Sequence, residues 1–404
     1  MRRFFLLVII SASSFLLSEE TDSPRPSLTR KYMQRNWTSP KYMSGDWGGV
    51  RDLLESKGIL ITSSFVTECV GNPTGGATQG FTYTGSFGVN LDIDFEKACG
   101  ITGFGFFISG AWRSGNSLTG EKIHNQFAVQ EIFGGETAKL NELFFKETVK
   151  DWFEIKAGRL NALNDFLISP LYCQFLNLAF CGNPSSILYN TAITDYPFAE
   201  WGAYMHFKPF DMLTIKTGVY NGNTIVNQNK YHGFNFTFSS TNGAQWLTEA
   251  KFSFSRSSNF YSNYTVGFFY QVANTQIFAD GVGSDPGYYF QIDQTIYDGL
   301  SSFLAMIFQP KDRNLMPFFV SSGLVWHGIV PDRQHDALSF GFAYGSYSPD
   351  LGTGQTFEAL FEANYWIQVN QWLSVIPDFQ WIIHPKGTNL PSAFCVGFQM
   401  GFVL

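Results

Sequence analysis

Hydrophobic and polar residues alternate with a period of two through most of this chain, most cleanly at its end. From Ala393 to Leu404, AFCVGFQMGFVL, the residues Val396, Phe398, Met400, Phe402 and Leu404 form one apolar set separated by mostly small or polar positions. Such alternation describes a strand with one apolar face. A terminal strand needs a partner along both edges, which a closed barrel provides. The same pattern predicts strands over about 60–69, 81–97, 101–113, 139–149, 152–159, 199–208, 211–220, 231–238, 246–254, 262–271, 287–297, 300–308, 317–326, 337–347, 356–367, 372–383 and 393–404.

Seventeen candidates conflict with the even strand number of single-chain bacterial barrels, and link lengths resolve the parity, because periplasmic turns are short and outer loops long. Tight links at 98–100, 150–151 and 209–210, with long ones at 114–138 and 160–198, make 211–220 run outward. Counting back through the tight links at 368–371 and 298–299 makes 246–254 run inward. Both hold only if 231–238, YHGFNFTF, belongs to an outer loop from 221 to 245, which leaves sixteen strands. The longest loop, 160–198, then follows the fifth strand and is placed to fold inward as a constriction.

Alternation also assigns faces. Phe87, Val89, Leu91, Ile93 and Phe95 oppose Asn90, Asp92, Asp94 and Glu96, and Phe357, Ala359, Phe361, Ala363 and Tyr365 oppose Glu358, Glu362 and Asn364. In a soluble sandwich the carboxylates would face outer water; in a barrel they line a wet lumen and the rings face lipid.

Ahead of the strands, residues 1–18 pair Arg2 and Arg3 with an apolar run from Phe4 to Leu17 and read as a secretory signal. Residues 19–43 form a polar lead with Pro24, Pro26 and Pro40. Residues 44–58, SGDWGGVRDLLESKG, predict a short helix at the periplasmic end, with Val50, Leu53 and Leu54 on one face and Gly58 as its stop. The barrel occupies 59–404. No later segment approaches the roughly 18 consecutive apolar residues of a spanning helix, so strands must cross the bilayer. The fold class is therefore all-β: a transmembrane antiparallel β-barrel in the outer membrane.

Composition sharpens this picture. Aromatic residues make up 18 % of the chain and charged residues 15 %, a balance suited to a lipid-facing wall with interfacial girdles. The formal charge of −7 argues against nucleic acid as a partner and keeps a general cation-preferring porin as an alternative. Cys173 and Cys181, close together in one predicted loop, are the candidates for an internal bridge. With Cys69, Cys99 and Cys395 the total is five, so at least one is free or pairs between chains. That keeps a disulfide-linked structural or adhesive envelope protein, with envelope partners of its own, as a second class. No C-x-x-C, G-x-S-x-G, P-loop or H-E-x-x-H motif is present, so no metal, cofactor or catalytic centre is expected.

Several segments together resemble the carbohydrate-selective porin (OprB) family. They are GDWGGVR, comprising Gly45, Asp46, Trp47, Gly48, Gly49, Val50 and Arg51; Glu68 with Gly75 and Gly76; LDIDFEK; AGRL at Ala157–Leu160 leading to Phe166; and WLSVIPDFQWIIHP at Trp372–Pro385. The resemblance spans about 44–404 and implies a sixteen-stranded barrel that passes sugars by diffusion. It also implies that the closing strand serves as the recognition signal for the barrel-assembly machinery, here ending in Leu404 where such barrels usually end in Phe. Asp46, Trp47 and Arg51 are expected to tie the short helix to the wall by charge and packing, with gating of the periplasmic mouth as the alternative.

A sugar channel needs acceptors, donors and ring faces held loosely enough for flux. The expected lumen candidates are Glu68, Asp92, Asp94, Glu142, Lys156, Lys216, Glu249, Lys251, Asp293, Glu362, Asp378 and Gln380, with Arg113 and Arg159 near the outer mouth. Phe166, Tyr172 and Phe175 in the long loop are placed to stack on sugars or to pack the loop against the wall. The partners expected are outer-membrane lipid, sugars or other small solutes, and the assembly machinery.

Overall fold

The computed structural model describes residues 40–239, 243–257 and 260–404. The predicted signal and nearly all of the polar lead lie outside them. Sixteen antiparallel strands close into one barrel in sequence order: β1 Ile59–Thr74, β2 Gly80–Asp94, β3 Phe104–Gly115, β4 Thr137–Val149, β5 Phe153–Leu160, β6 Glu200–Phe210, β7 Leu213–Asn221, β8 Ala244–Ser257, β9 Phe260–Gln276, β10 Val282–Tyr297, β11 Leu300–Phe308, β12 Phe318–His327, β13 Ala337–Ser346, β14 Phe357–Asn370, β15 Leu373–Ile383 and β16 Ala393–Val403. Each strand sits next to its sequence neighbours, and β16 pairs with β1 from Ser64↔Val403 to Gly71↔Val396. The segment 231–238 lies in the long link between β7 and β8, as the parity argument requires.

The expected β2 strand ends early. Asp94 accepts hydrogen bonds from the N–H groups of Glu96 and Lys97 and so caps α2, Phe95–Cys99. A side-chain cap of this kind diverts the chain into a helical turn despite its strand-like alternation. The link between β12 and β13, by contrast, stays long, with Gly328 N–H closing back onto Asp336 O at 2.9 Å.

The faces separate as a barrel demands. Phe361 is 44 % exposed on the outside while Glu362 beside it is 2 % exposed, and the same inversion places Phe81, Tyr83 and Val89 outward against Thr82, Thr84 and Ser86 inward. Outward rings stack across strands, as in Phe361 on Trp381 and Trp381 on Phe394, where each pair adds to simple area burial.

Most short links lie at one end of the barrel and the longest ones at the other. At the short-link end, α1, Val50–Ser56, starts behind Gly49, which holds φ 89. Arg51 fixes it there. Its guanidinium lies 3.8 Å from the Tyr42 ring centre and 4.2 Å from that of Trp47, and it donates to Leu404 O at 3.1 Å. Met43 N–H donates to Val403 O at 2.9 Å, so the GDWGGVR segment sits on the seam strand. Replacing Arg51 with Ala removes two cation–π contacts and a charged donor and should cost about 2 kcal/mol. Urea unfolding of the refolded barrel in detergent measures this, and Arg51→Lys should recover only part of the loss.

Candidate functional site

Two loops from the long-link end turn into the barrel: 116–136 between β3 and β4, and 161–199 between β5 and β6. They bond to each other through Leu178 N–H to Ala128 O at 2.9 Å and Glu131 N–H to Leu176 O at 3.0 Å. The far wall holds both by carboxylates that accept backbone N–H groups. Glu358 accepts from Gln126 and Phe127, each at 2.7 Å. Glu362 accepts from Leu176 at 2.6 Å and Asn177 at 3.1 Å. Glu249 accepts from Leu167 N–H at 3.0 Å, from the Tyr289 hydroxyl at 2.9 Å, and pairs with Lys216 at 3.1 Å. Charge-assisted bonds in a water-poor interior are the strong members of their class.

The other sequence candidates join this scaffold. Glu142 accepts from Asn161 N–H at 2.9 Å and from the Asn164 amide at 2.8 Å. Asp293 accepts from the Ser169 hydroxyl at 2.6 Å and lies within electrostatic reach of Lys251. Gln380 bridges both loops, accepting from Asn177 at 2.8 Å and donating to Val129 O at 3.1 Å and to Asp378 at 2.8 Å. Glu68 is held by Gln399 at 2.8 Å and Thr84 at 3.3 Å. Lys156 contacts Asp165 at 2.7 Å and Glu154 at 3.4 Å, while Lys216 donates to Asp165 O at 2.8 Å. Burial in the inward loop pushes the Asp165 carboxyl above its usual range, and Lys156 pulls against that shift. Burial, helped by the charge of Asp293, likewise raises the Tyr172 phenol.

Aromatic packing completes the anchorage. Tyr172, Phe175 and Phe180 all meet Phe303 of β11 edge-on, and the predicted Cys173–Cys181 bridge closes this stretch with Cα atoms 4.4 Å apart. A Cβ at Gly341 would come within 2.7 Å of both Phe175 and Phe180, so only glycine lets β13 accept these rings. Phe166, Tyr172 and Phe175 are each at most 2 % exposed; they pack the loop rather than present a platform.

Three candidates stand apart. Asp92 pairs with Lys146 at 2.8 Å on the inward faces of β2 and β4, and both remain half-buried. Asp94 caps α2 at the short-link end and pairs there with Lys97 at 3.6 Å. Arg159 differs from the lumen expectation: it shares its row on β5 with the exposed Ile155 and Ala157, pairs across with Leu143 and Trp201, and faces outward beneath a loop. Arg113 faces inward, donating to Phe133 O at 3.2 Å beside the Tyr196 ring. Alternation with Phe357 and Phe361 placed Glu358 on the lumen face, but nothing in the sequence singled it out as a site residue.

Among the described residues no group of three or more His, Cys, Asp or Glu is placed to hold a metal. The family model described as carbohydrate-selective porin, OprB family, matches residues 78–404. The chain belongs to that family. It is 26 % identical to Porin B of Pseudomonas aeruginosa over 89 % of this chain and 90 % of that protein, and 25 % identical to the putative porin QuiX of Acinetobacter baylyi over 99 % of each. The high-pH structure of Pseudomonas putida OprB superposes with a TM-score of 0.84 at 25 % identity, covering 91 % of this chain and 99 % of that one. A mutant of the Rh. blastica porin, 8 % identical with a TM-score of 0.54 over 86 % of this chain and 100 % of its own, shares the fold.

The clamp carboxylates generate a direct expectation. Glu362→Ala strands two buried N–H groups and should lower stability by about 3 kcal/mol, while freeing loop 161–199 raises single-channel conductance and current noise in planar bilayers. Glu358→Ala should do the same for loop 116–136. Opening the Cys173–Cys181 bridge with reductant removes a closed loop worth about 2.5 kcal/mol, and thermal unfolding with and without dithiothreitol reads that difference.

Proposed function

We propose that this chain, exported by its N-terminal signal, sits in the outer membrane with its short links in the periplasm and passes sugars and similar small polar solutes by facilitated diffusion. The observation that carries this reading is the OprB family match over 78–404 on a closed barrel whose two longest inward loops narrow the lumen. Catalysis is not required, because a channel selects by polar groups that exchange partners quickly.

The geometry favours neutral solutes over a general cation preference. Glu249, Glu358 and Glu362 are committed to loop N–H groups and Asp165 and Glu249 to Lys156 and Lys216, so these buried carboxylates are turned to the loops rather than to the solute path. The half-buried Asp92–Lys146 pair offers an acceptor and a donor side by side, with the half-buried Thr62 and Asn90, 3.2 Å apart, nearby on the same inward faces.

Vesicle swelling tests the proposal: proteoliposomes should admit glucose much faster than empty liposomes, and equal rates would sink it. In planar bilayers added glucose should depress the ion current, whereas a plain cation channel would show selectivity for K⁺ and no glucose effect. Asp92→Ala and Lys146→Ala should each weaken that glucose effect by up to about tenfold, the scale of one charge-assisted hydrogen bond.

A further inference from the structure

The wall is incomplete where β5 stops. β4 pairs with β5 only from Leu143↔Arg159 to Val149↔Phe153, so the β4 edge at 137–142 loses its neighbour once the chain turns inward after Leu160. The loop between β7 and β8 fills the gap. Leu140 N–H donates to His232 O at 3.0 Å, His232 Nδ1 lies 2.8 Å from Ala138 O, and Lys139 donates to Asn229 at 2.9 Å.

From there the loop crosses the outward face of the barrel. Arg159 donates to Gly233 O and, at 3.0 Å, to Ala199 O, and its guanidinium sits 5.6 Å from the Phe236 ring centre. Outward-facing Trp201 donates its indole N–H to Phe236 O at 3.0 Å. Asn223 and Asn221 donate to Thr237 O at 3.3 Å and Ser239 O at 2.7 Å. The carbonyls of Gly233, Phe236, Thr237 and Ser239 thus accept from the wall, while Phe234 and Phe238 are 66 % and 67 % exposed and Phe236, 43 % exposed, lies against the Trp201 ring. No charged residue lies between Gly233 and Ser239.

We propose that residues 232–239 form a membrane-embedded strap whose Phe234, Phe236 and Phe238 rest among the acyl chains of outer-leaflet lipid. The strap is continuous with the lipid-facing surface that includes Val219 and Trp201 rather than a projection above it. The protein fills the carbonyls of Gly233, Phe236, Thr237 and Ser239, which lets the strap lie at the outer edge of the hydrocarbon, where water still reaches its remaining main-chain groups. The exposed Lys230 at its start suits the anionic headgroups just above. By covering Arg159, the strap also keeps a cation on the outward face away from lipid, where it would be costly.

The test uses full-length protein in phosphatidylcholine–phosphatidylglycerol vesicles, with p-benzoylphenylalanine replacing Phe234 or Phe238. Val219 serves as the lipid-facing reference and Thr353, exposed in a loop at the long-link end, as the aqueous one. Acyl-chain adducts at 234 and 238, in yields comparable to those at 219, support the strap. Adducts joining two protein chains, or lipid yields as low as at 353, overturn it. Hydroxyl-radical footprinting of the unaltered chain in the same vesicles covers any variant that fails to insert: Phe234 and Phe238 should oxidise no faster than lipid-facing Phe290, and faster oxidation overturns the proposal.

Discussion

A bilayer core offers no water to an unpaired amide, so a sheet that crosses it must close on itself, and the pairing of β16 with β1 is the constraint on which this molecule depends. The seam runs in continuous register from Ser64↔Val403 to Gly71↔Val396. At its short-link end Arg51, pressed between Tyr42 and Trp47, reaches Leu404 O. The segment before β1 is thereby attached to the last strand rather than to its own successor alone, and it locks the two ends of the sheet together.

Closure creates an interior, and the interior's charges then serve the loops. A buried carboxylate is tolerated when its lone pairs are filled. Glu249, Glu358 and Glu362 are filled by loop N–H groups, so desolvated charge and unpaired loop amides satisfy each other. The aromatic cluster around Phe303 supplies the non-directional part of the same attachment. Net charge is therefore a poor guide to what the lumen presents, because it counts these committed groups together with free ones.

Strand number and face assignment were legible in the sequence because both follow from period and link length. The segment 231–238 shows the limit of periodicity: its Phe residues alternate as in a strand, yet it lies outside the barrel sheet, and only strand parity separated it. Arg159 was misjudged for a different reason. Its spacing from Ile155 and Ala157 places it outward, but its charge was read as a lumen signature. The clamps were illegible because their partners are distant; Glu362 and Leu176 are separated by 186 positions, and no local pattern links them. Asp94 looked like one more lumen carboxylate until its turn chemistry, two residues from Glu96, took precedence.

The clamps have one property that bears on how such a channel diversifies. The wall contributes side chains, whereas the loops contribute backbone N–H groups, which every residue except proline possesses. At Gln126, Leu167 and Leu176 the side chain can therefore be exchanged without breaking the clamp bond, whereas the wall carboxylates, and the loop side chains that make their own bonds to the wall such as Asn164, Ser169 and Asn177, cannot. The position of the inward loops is thus set largely by the barrel, and their chemical character is free to drift at the positions that attach through backbone alone.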